Sequence, residues 1–328
     1  MRRREFVGLA GGLAAWPLIA KAEPDGRMRR IGVLIAGSES DPDITKYLEA
    51  LSSGLRQLGW IAGQNLQIDY RWARGDIGRA RSLAKELVST LPALILASGT
   101  ESVLALHETT TTLPIVFVNV TDPVAGGFVA SLAQPSGNIT GFTPFEYDIG
   151  GKWLGLLKEM APQLTRVAML GDPVNHNFRG FKTSFETAAR SLSIEPTSIA
   201  VHGAEDIDRG VGSFAAEGSG GLIITAATFS RVHRDQIVNL ANTRKLPAIY
   251  WNRLQAVAGG LMSYGPDTAD LYRRSATYID RILKGEKPTD LPVQEPTKVE
   301  LIINARTAKA IDLIVPPALL ARSDEVIE

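Results

Sequence analysis

With 328 residues the chain exceeds what one domain usually needs, so two lobes are the starting expectation. Hydrophobic residues make up 45% and charged residues 21%, with Gly 31 and Pro 18, a globular composition that excludes a disordered, collagenous or coiled-coil chain. Lys+Arg 35 balance Asp+Glu 35, against the basic excess of a nucleic-acid binder, and zero Cys excludes thiolate metal sites, thiol nucleophiles, disulfides and a lipid-anchored cysteine.

The first residues read as an address. Arg2-Arg3-Arg4-Glu5-Phe6 precedes a mildly apolar run from Val7 to Ala20, and Ala20-Lys21-Ala22 offers a small-x-small cleavage site before Glu23. That run is broken by Gly8, Gly11, Gly12 and Pro17, and is short of the roughly 20 residues a membrane-spanning helix needs. Arg3-Arg4-Glu5-Phe6-Val7 resembles the twin-arginine export motif, with Arg2 where Ser or Thr is usual. An ordinary Sec signal is the alternative. Cleavage at 22 removes Arg2, Arg3, Arg4 and Lys21 against Glu5 alone, which leaves a mildly acidic body expected to be soluble in the periplasm.

Beyond a polar lead-in, Ile31–Ala36 reads as a strand buried on both faces, as parallel sheets require. Residues 43–58 carry Ile44, Leu48, Leu51 and Leu55 on one helical stripe. Leu66–Trp72 alternates with period two, which suits a strand near a sheet edge. A helix follows over about 76–90, then strand Ala93–Ala97, helix 101–109 and strand Ile115–Val120. This β-α-β-α order predicts a doubly wound sheet.

The pattern then starts again. Helix 150–160, strand Arg166–Leu170, helix 177–191, a strand near Thr197–Val201, helix 205–216, strand Leu222–Thr225, helix 231–244 and strand Ala248–Trp251 follow in turn. Leu113-Pro114 and Leu246-Pro247 stand before the fourth strand of each half, where proline ends the preceding helix and needs no ladder donor. Residues 268–284 form an amphipathic helix with Leu271, Ala276, Ile279 and Leu283 inward, stopped by Gly285. A connector with Pro288, Pro292 and Pro296 leads to strand Val299–Ile303. The fold class is therefore α/β, two doubly wound parallel-sheet lobes. If the late helix packs on the first lobe and the last strand on the second, the chain crosses between them three times.

Ligands of open α/β sheets bind beyond the carboxyl ends of strands, where helix N-termini offer free amides and a partial positive charge. The exits give Ser38; then Ser98, Gly99, Thr100 and Glu101; then Asn119, Thr121 and Asp122; and in the second half Asp172, Asn175 and Asn177, then Thr225 and Thr228, then Asn252. Ser, Thr, Asp and Asn at such places are also ordinary helix caps. Gly99 is the exception, since it admits close approach of the backbone to a ligand. Tyr147, Trp251 and Tyr264 flank the inferred lobe junctions, where a ligand could stack, whereas Phe178, Phe181, Phe185 and Trp153 read as core. The candidate ligand-binding set is Ser38, Ser98, Gly99, Thr100, Asp122, Tyr147, Asn175, Thr225, Trp251 and Tyr264.

Signals of catalysis are missing. There is no Gly-x-Ser-x-Gly elbow, no P-loop and no His in a triad order, and the four His lie too far apart in sequence for a zincin helix. Gly218-Ser219-Gly220-Gly221 precedes a strand instead of following one.

The sequence resembles the exported substrate-binding components of ABC importers with the type I periplasmic-binding fold, in the group that includes tryptophan-type binders. The matching stretches are Ile31–Gly37, Leu94–Thr100, Pro114–Val124, Asn138–Gly141 and, most specifically, Leu301–Ala310 and Pro316–Ile327. The resemblance covers essentially the whole mature chain. It implies two lobes joined by three crossing segments, with residues 30–143 and 265–290 in one and 144–264 and 291–328 in the other. It also implies that groups around the Ser98-Gly99-Thr100 and Asp122 loops hold the ligand's carboxylate or amino group. A departure stands at Asp172-Pro173-Val174-Asn175, where several relatives carry Asn-Pro. The expectation is a monomeric, non-enzymatic binder of a small organic solute, an amino acid (an aromatic one included) or an organic acid. It would hand this solute to ABC permease subunits, with no metal, cofactor or nucleic-acid partner. A ligand sensor for a separate membrane receptor, or a periplasmic enzyme on the same fold, are the alternatives.

Overall fold

The computed structural model describes residues 28–173, 175 and 177–328. The export segment expected over 1–22 lies outside them.

Five parallel strands make the first sheet: β1 (Arg29–Ile35), β2 (Leu66–Trp72), β3 (Leu94–Ser98), β4 (Ile115–Val118) and β5 (Ile139–Phe142), in the order β2-β1-β3-β4-β5. β2 is an edge strand, as its alternation predicts, and only its Leu66 is buried. On one face α2 (Ile77–Ser89) and α3 (Thr100–His107) cover Leu34, Ile95, Ala97 and Phe117. On the other, α1 (Pro42–Gln57) packs with Ile44, Leu51 and Leu55 over Ile31, Val33 and Leu96.

The second sheet has seven strands. These are β6 (Arg166–Gly171), β7 (Glu195–Ala200), β8 (Gly221–Ile224), β9 (Ala248–Tyr250), β10 (Met262–Pro266), β11 (Val299–Asn304) and β12 (Glu325–Ile327), in the order β12-β11-β10-β9-β8-β6-β7. Only the β10–β11 pair is antiparallel. Helices α4 (Ile149–Met160) and α5 (Phe178–Ser191) bury Trp153, Leu157, Phe181 and Phe185 against one face. Helix α6 (Ala204–Ala216) buries Ile207, Val211 and Phe214 on the other.

The chain passes between the two layered bodies three times. It leaves β5 for α4, leaves β10 for α10 (Thr268–Leu283), and returns to β11. Helix α10 belongs to the first body. Its Leu271, Tyr272, Ala276 and Ile279 join the core under α1, where a Cβ on Gly54 would meet the Arg273 carbonyl oxygen at 2.5 Å. Only glycine lets the two helices approach so closely. The first and third crossings are bonded together: the Thr143 amide donates to the Gln294 carbonyl at 2.9 Å and the Gln294 amide to the Gly141 carbonyl at 2.9 Å. At the end of α10, Gly285 takes φ +101°, with the Glu286 amide on the Arg281 carbonyl and the Gly285 amide on the Ile282 carbonyl. This is a Schellman stop.

Some expectations need correction. The strand expected over Ile115–Val120 ends at Val118, because Asn119 turns into the left-handed region at φ +58°. The single helix expected over 231–244 is two, α7 (Thr228–Val232) and α8 (Arg234–Thr243), parted at His233. The side chain of Gln255 donates to the Ser230 carbonyl at 3.1 Å, the group a continuous helix would offer to the Arg234 amide. Three short helices, α9 (Arg253–Val257), α11 (Ala305–Ala310) and α12 (Pro317–Arg322), and the strands β5, β10 and β12 are additional to the expected elements.

Candidate functional site

The carboxyl ends of the two sheets face each other, and a cavity lies between them. From the first body it is lined by Gly37 after β1, by Ser98, Gly99, Thr100 and Glu101 after β3, and by Asn119 and Thr121 after β4. Tyr47 of α1 and Tyr272 of α10 complete that side. The second body contributes Asn175 and Asn177 after β6, Ala226, Ala227, Thr228 and Arg231 after β8, and Trp251 after β9.

Gly99 explains why α3 points here. It sits at φ +90°, and a Cβ there would come within 3.0 Å of the Ala36 Cβ. It caps α3 without a side-chain oxygen, and the helix starts at the cavity. The Ser98 hydroxyl meets the Tyr272 hydroxyl. Tyr272 in turn stacks on Tyr47, with ring centroids 5.3 Å apart and planes at 23°. Burial pushes both phenols above their ordinary pKa, so they stay protonated and able to donate.

Two sets of polar ties cross the gap on opposite sides of the cavity. On one side the Asn175 amide donates to Glu101 Oε1 at 2.8 Å and the Asn177 amide to Thr100 Oγ1 at 3.1 Å. Asn177 is the N-cap residue of α5, yet its side chain makes no cap bond; it reaches across the cleft and accepts from the Tyr147 hydroxyl at 3.0 Å. On the other side Arg231 Nε lies 2.5 Å from Asp41 Oδ2, and Arg234 Nη1 2.8 Å from Asp43 Oδ2. Asn252 Nδ2 reaches the Tyr47 hydroxyl at 3.5 Å. The structure is thus a closed form.

Of the ten candidates, Ser98, Gly99, Thr100, Asn175 and Trp251 line this cavity. Trp251 holds its ring there by donating to the Ser230 hydroxyl at 3.1 Å. Ser38 instead pairs its hydroxyl with Ser40 at 3.0 Å. Asp122 accepts the Ala125 amide at 3.0 Å and caps a turn. Thr225 donates to the Leu170 carbonyl at 2.8 Å, turned into its own lobe. Tyr147 stands at the outer edge behind Asn177, and Tyr264 packs on the second-lobe core. Reasoning from sequence missed Tyr47, Tyr272 and Arg231. All three sit on helices whose register, taken alone, gives them to the core or to solvent. Among the described residues, no group of three or more His, Asp and Glu could hold a metal ion.

Arg231 and Glu101 are the charged side chains of the lining. Burial raises the Glu101 carboxyl above its ordinary 4.5, against weaker lowering by its own backbone amide, Arg231 and Asn175. A raised carboxyl contributes to stability while protonated, and that contribution is lost as pH rises through the folded pKa. The variant Glu101→Gln is therefore expected to melt higher than the parent at pH 7–8 in the ligand-free state, with the gap closing below about pH 4.5. Melting curves across that range check it; an unchanged gap at acid pH would refute the assignment.

The architecture and cleft define a two-lobe binding protein that encloses a small solute. Residues 33–327 match the ABC transporter substrate binding protein family, and the chain belongs to that family, whose members are substrate-binding proteins and not enzymes. It is 26% identical over 278 residues to the tyrosine-binding protein of Clostridioides difficile, covering 83% of this chain and 78% of that protein. It superposes with a TM-score of 0.85 on a conserved domain protein of Vibrio cholerae, at 25% identity over 92% of this chain and all of that one. A Streptococcus ABC domain in complex with L-Trp gives a TM-score of 0.84 at 23% identity, again over 92% of this chain and 100% of that chain. The protein thus has the general role of an ABC-importer solute-binding protein that captures a small organic ligand in the cleft between its lobes, in a family that is extracytoplasmic and typically pairs with membrane permease subunits.

Proposed function

We propose that the captured solute is an amino acid with an aromatic side chain. The observation that carries this reading is the layout of the cavity: a guanidinium, the start of α3, a carboxylate and an aromatic wall, all lining one space between the lobes. Arg231 and the first amides of α3 take the α-carboxylate, because a helix N-terminus and a guanidinium both favour an anion. Glu101 takes the α-ammonium. Tyr47, Tyr272 and Trp251 flank the ring. The names of two similar proteins, one tyrosine-binding and one solved with L-Trp, support the same class.

In this reading residues 30–143 with 265–290 move as one body and 144–264 with 291–328 as the other. A ligand favours the closed form only as far as it touches both faces, and this one would bridge α3 to Arg231. A micromolar site yields about 8 kcal/mol, part of which offsets closure. The closed form then docks on the permease. The leader over 1–22, with its Arg3-Arg4 pair, delivers the chain by twin-arginine or Sec export.

Thermal shift and calorimetry on the mature chain test the ligand. L-tyrosine, L-tryptophan or L-phenylalanine at a hundred times Kd is expected to raise Tm by about 5 °C. Stabilisation by sugars alone, or by no amino acid, would reject the reading.

A further inference from the structure

Asp43 is the second residue of α1, in the first lobe, and Arg234 is the first residue of α8, in the second. They meet at 2.8 Å across 191 residues of chain, and neither lines the ligand cavity. The aspartate side chain is only 6% exposed and the arginine 23%. A hinge that parts the lobes would return both to water.

We infer that Asp43 and Arg234 form a charge gate on closure: the lobes can bury the Asp43 carboxylate only when Arg234 arrives with it. This rests on reading the cleft as the binding site, and it concerns how tightly that site closes. The pair differs from a simple latch, in which both partners stabilise the closed form equally. Burying an ion is costly and a pair recovers the cost only with good geometry, so removing Arg234 and stranding the 6%-exposed Asp43 is far worse than removing both, whereas Arg234, 23% exposed and also paired with Asp235, tolerates the loss of Asp43. Desolvation is the largest influence on Asp43. It raises the carboxyl above its ordinary value even against Arg234, with Asp41 adding to it and Lys46 and Arg231 opposing. The carboxylate therefore opposes closing, and Arg234 offsets it. The split at His233 serves this arrangement, since it sets Arg231 on α7 against Asp41 and Arg234 on α8 against Asp43.

The experiment is a double-mutant cycle read two ways. The chain has no Cys, so Glu49→Cys on α1 and Asn239→Cys on α8, both exposed, take spin labels at known sites only. Interlobe distances are measured without ligand and with L-tyrosine or L-tryptophan, and affinities by calorimetry. Arg234→Gln is expected to lose roughly tenfold or more in affinity and to populate the open distance even with amino acid present. Asp43→Asn is expected to bind as well as the parent or better. The double variant should return to within about threefold of the parent, because the orphaned charge is gone. Equal losses in both single variants, no rescue in the double, or no change in Arg234→Gln would each overturn the gate. If no amino acid binds the parent, the ligand assignment fails by itself. The distances in ligand-free protein still decide the gate: the Arg234→Gln population should be more open than that of the double variant, and identical distributions would overturn it.

Discussion

Changing Arg231 to Gln is expected to weaken aromatic amino-acid binding about a hundredfold, near 2.7 kcal/mol, mostly through faster release. Arg231 is the cation of the cavity lining, and its side chain is 13% exposed. On the proposed reading, its loss removes the partner of the ligand's carboxylate. It also leaves Asp41, itself 11% exposed, facing the cleft without its ion pair. Asp41→Asn separates the two effects. That change frees the guanidinium without deleting it, so it should cost clearly less than Arg231→Gln. Calorimetry gives the affinities and stopped-flow fluorescence the release rates. A loss below threefold for Arg231→Gln would remove the carboxylate from this position.

The largest stability effect is expected at Trp153. Its ring is fully buried on α4, 5.5 Å from Phe145 and 5.5 Å from Phe181. Its indole N–H donates to the Tyr264 carbonyl at 2.8 Å. Phe145 lies on the first crossing and Tyr264 on β10, so one side chain joins a crossing, a helix and the sheet. Trp153→Ala should cost about 3–5 kcal/mol, and Trp153→Phe about 1–3 kcal/mol, chiefly for the unpaired carbonyl. Urea unfolding followed by circular dichroism measures both. A cost under 1.5 kcal/mol for the alanine variant would show that the second lobe does not depend on this contact.

Closure and capture are coupled by the positions of a few side chains. Asn175 and Asn177 bond to α3 on one flank, and Arg231 and Arg234 pair with α1 on the other. Ligand affinity therefore depends on groups that touch the solute and on groups that touch only the opposite lobe. On the proposed reading, the cavity residues answer to the first description and the Asp43–Arg234 pair to the second.

The local sequence determined most of the framework, because strands and helices declare themselves through contacts within a few residues. Ile31–Ala36 reads as buried strand, residues 43–58 as an amphipathic helix, and Leu113-Pro114 and Leu246-Pro247 as strand entrances, and each stands within a residue or two of its expected place. Ser98-Gly99-Thr100 stands at a strand-to-helix exit, and the structure places it along the cavity between the lobes. Tyr264 and Thr225 stand off the cavity, and Tyr47 and Arg231 line it, for one and the same reason. A strand-exit rule identifies the end of the sheet, but not which side chains turn toward the other lobe. That choice belongs to the tertiary structure, where Tyr47 meets Tyr272 and Asp41 meets Arg231 across 190 residues. Neither pair leaves a periodic trace: Tyr47–Tyr272 forms only when the second crossing brings α10 back onto the first body, and Asp41–Arg231 only when the two sheets come face to face.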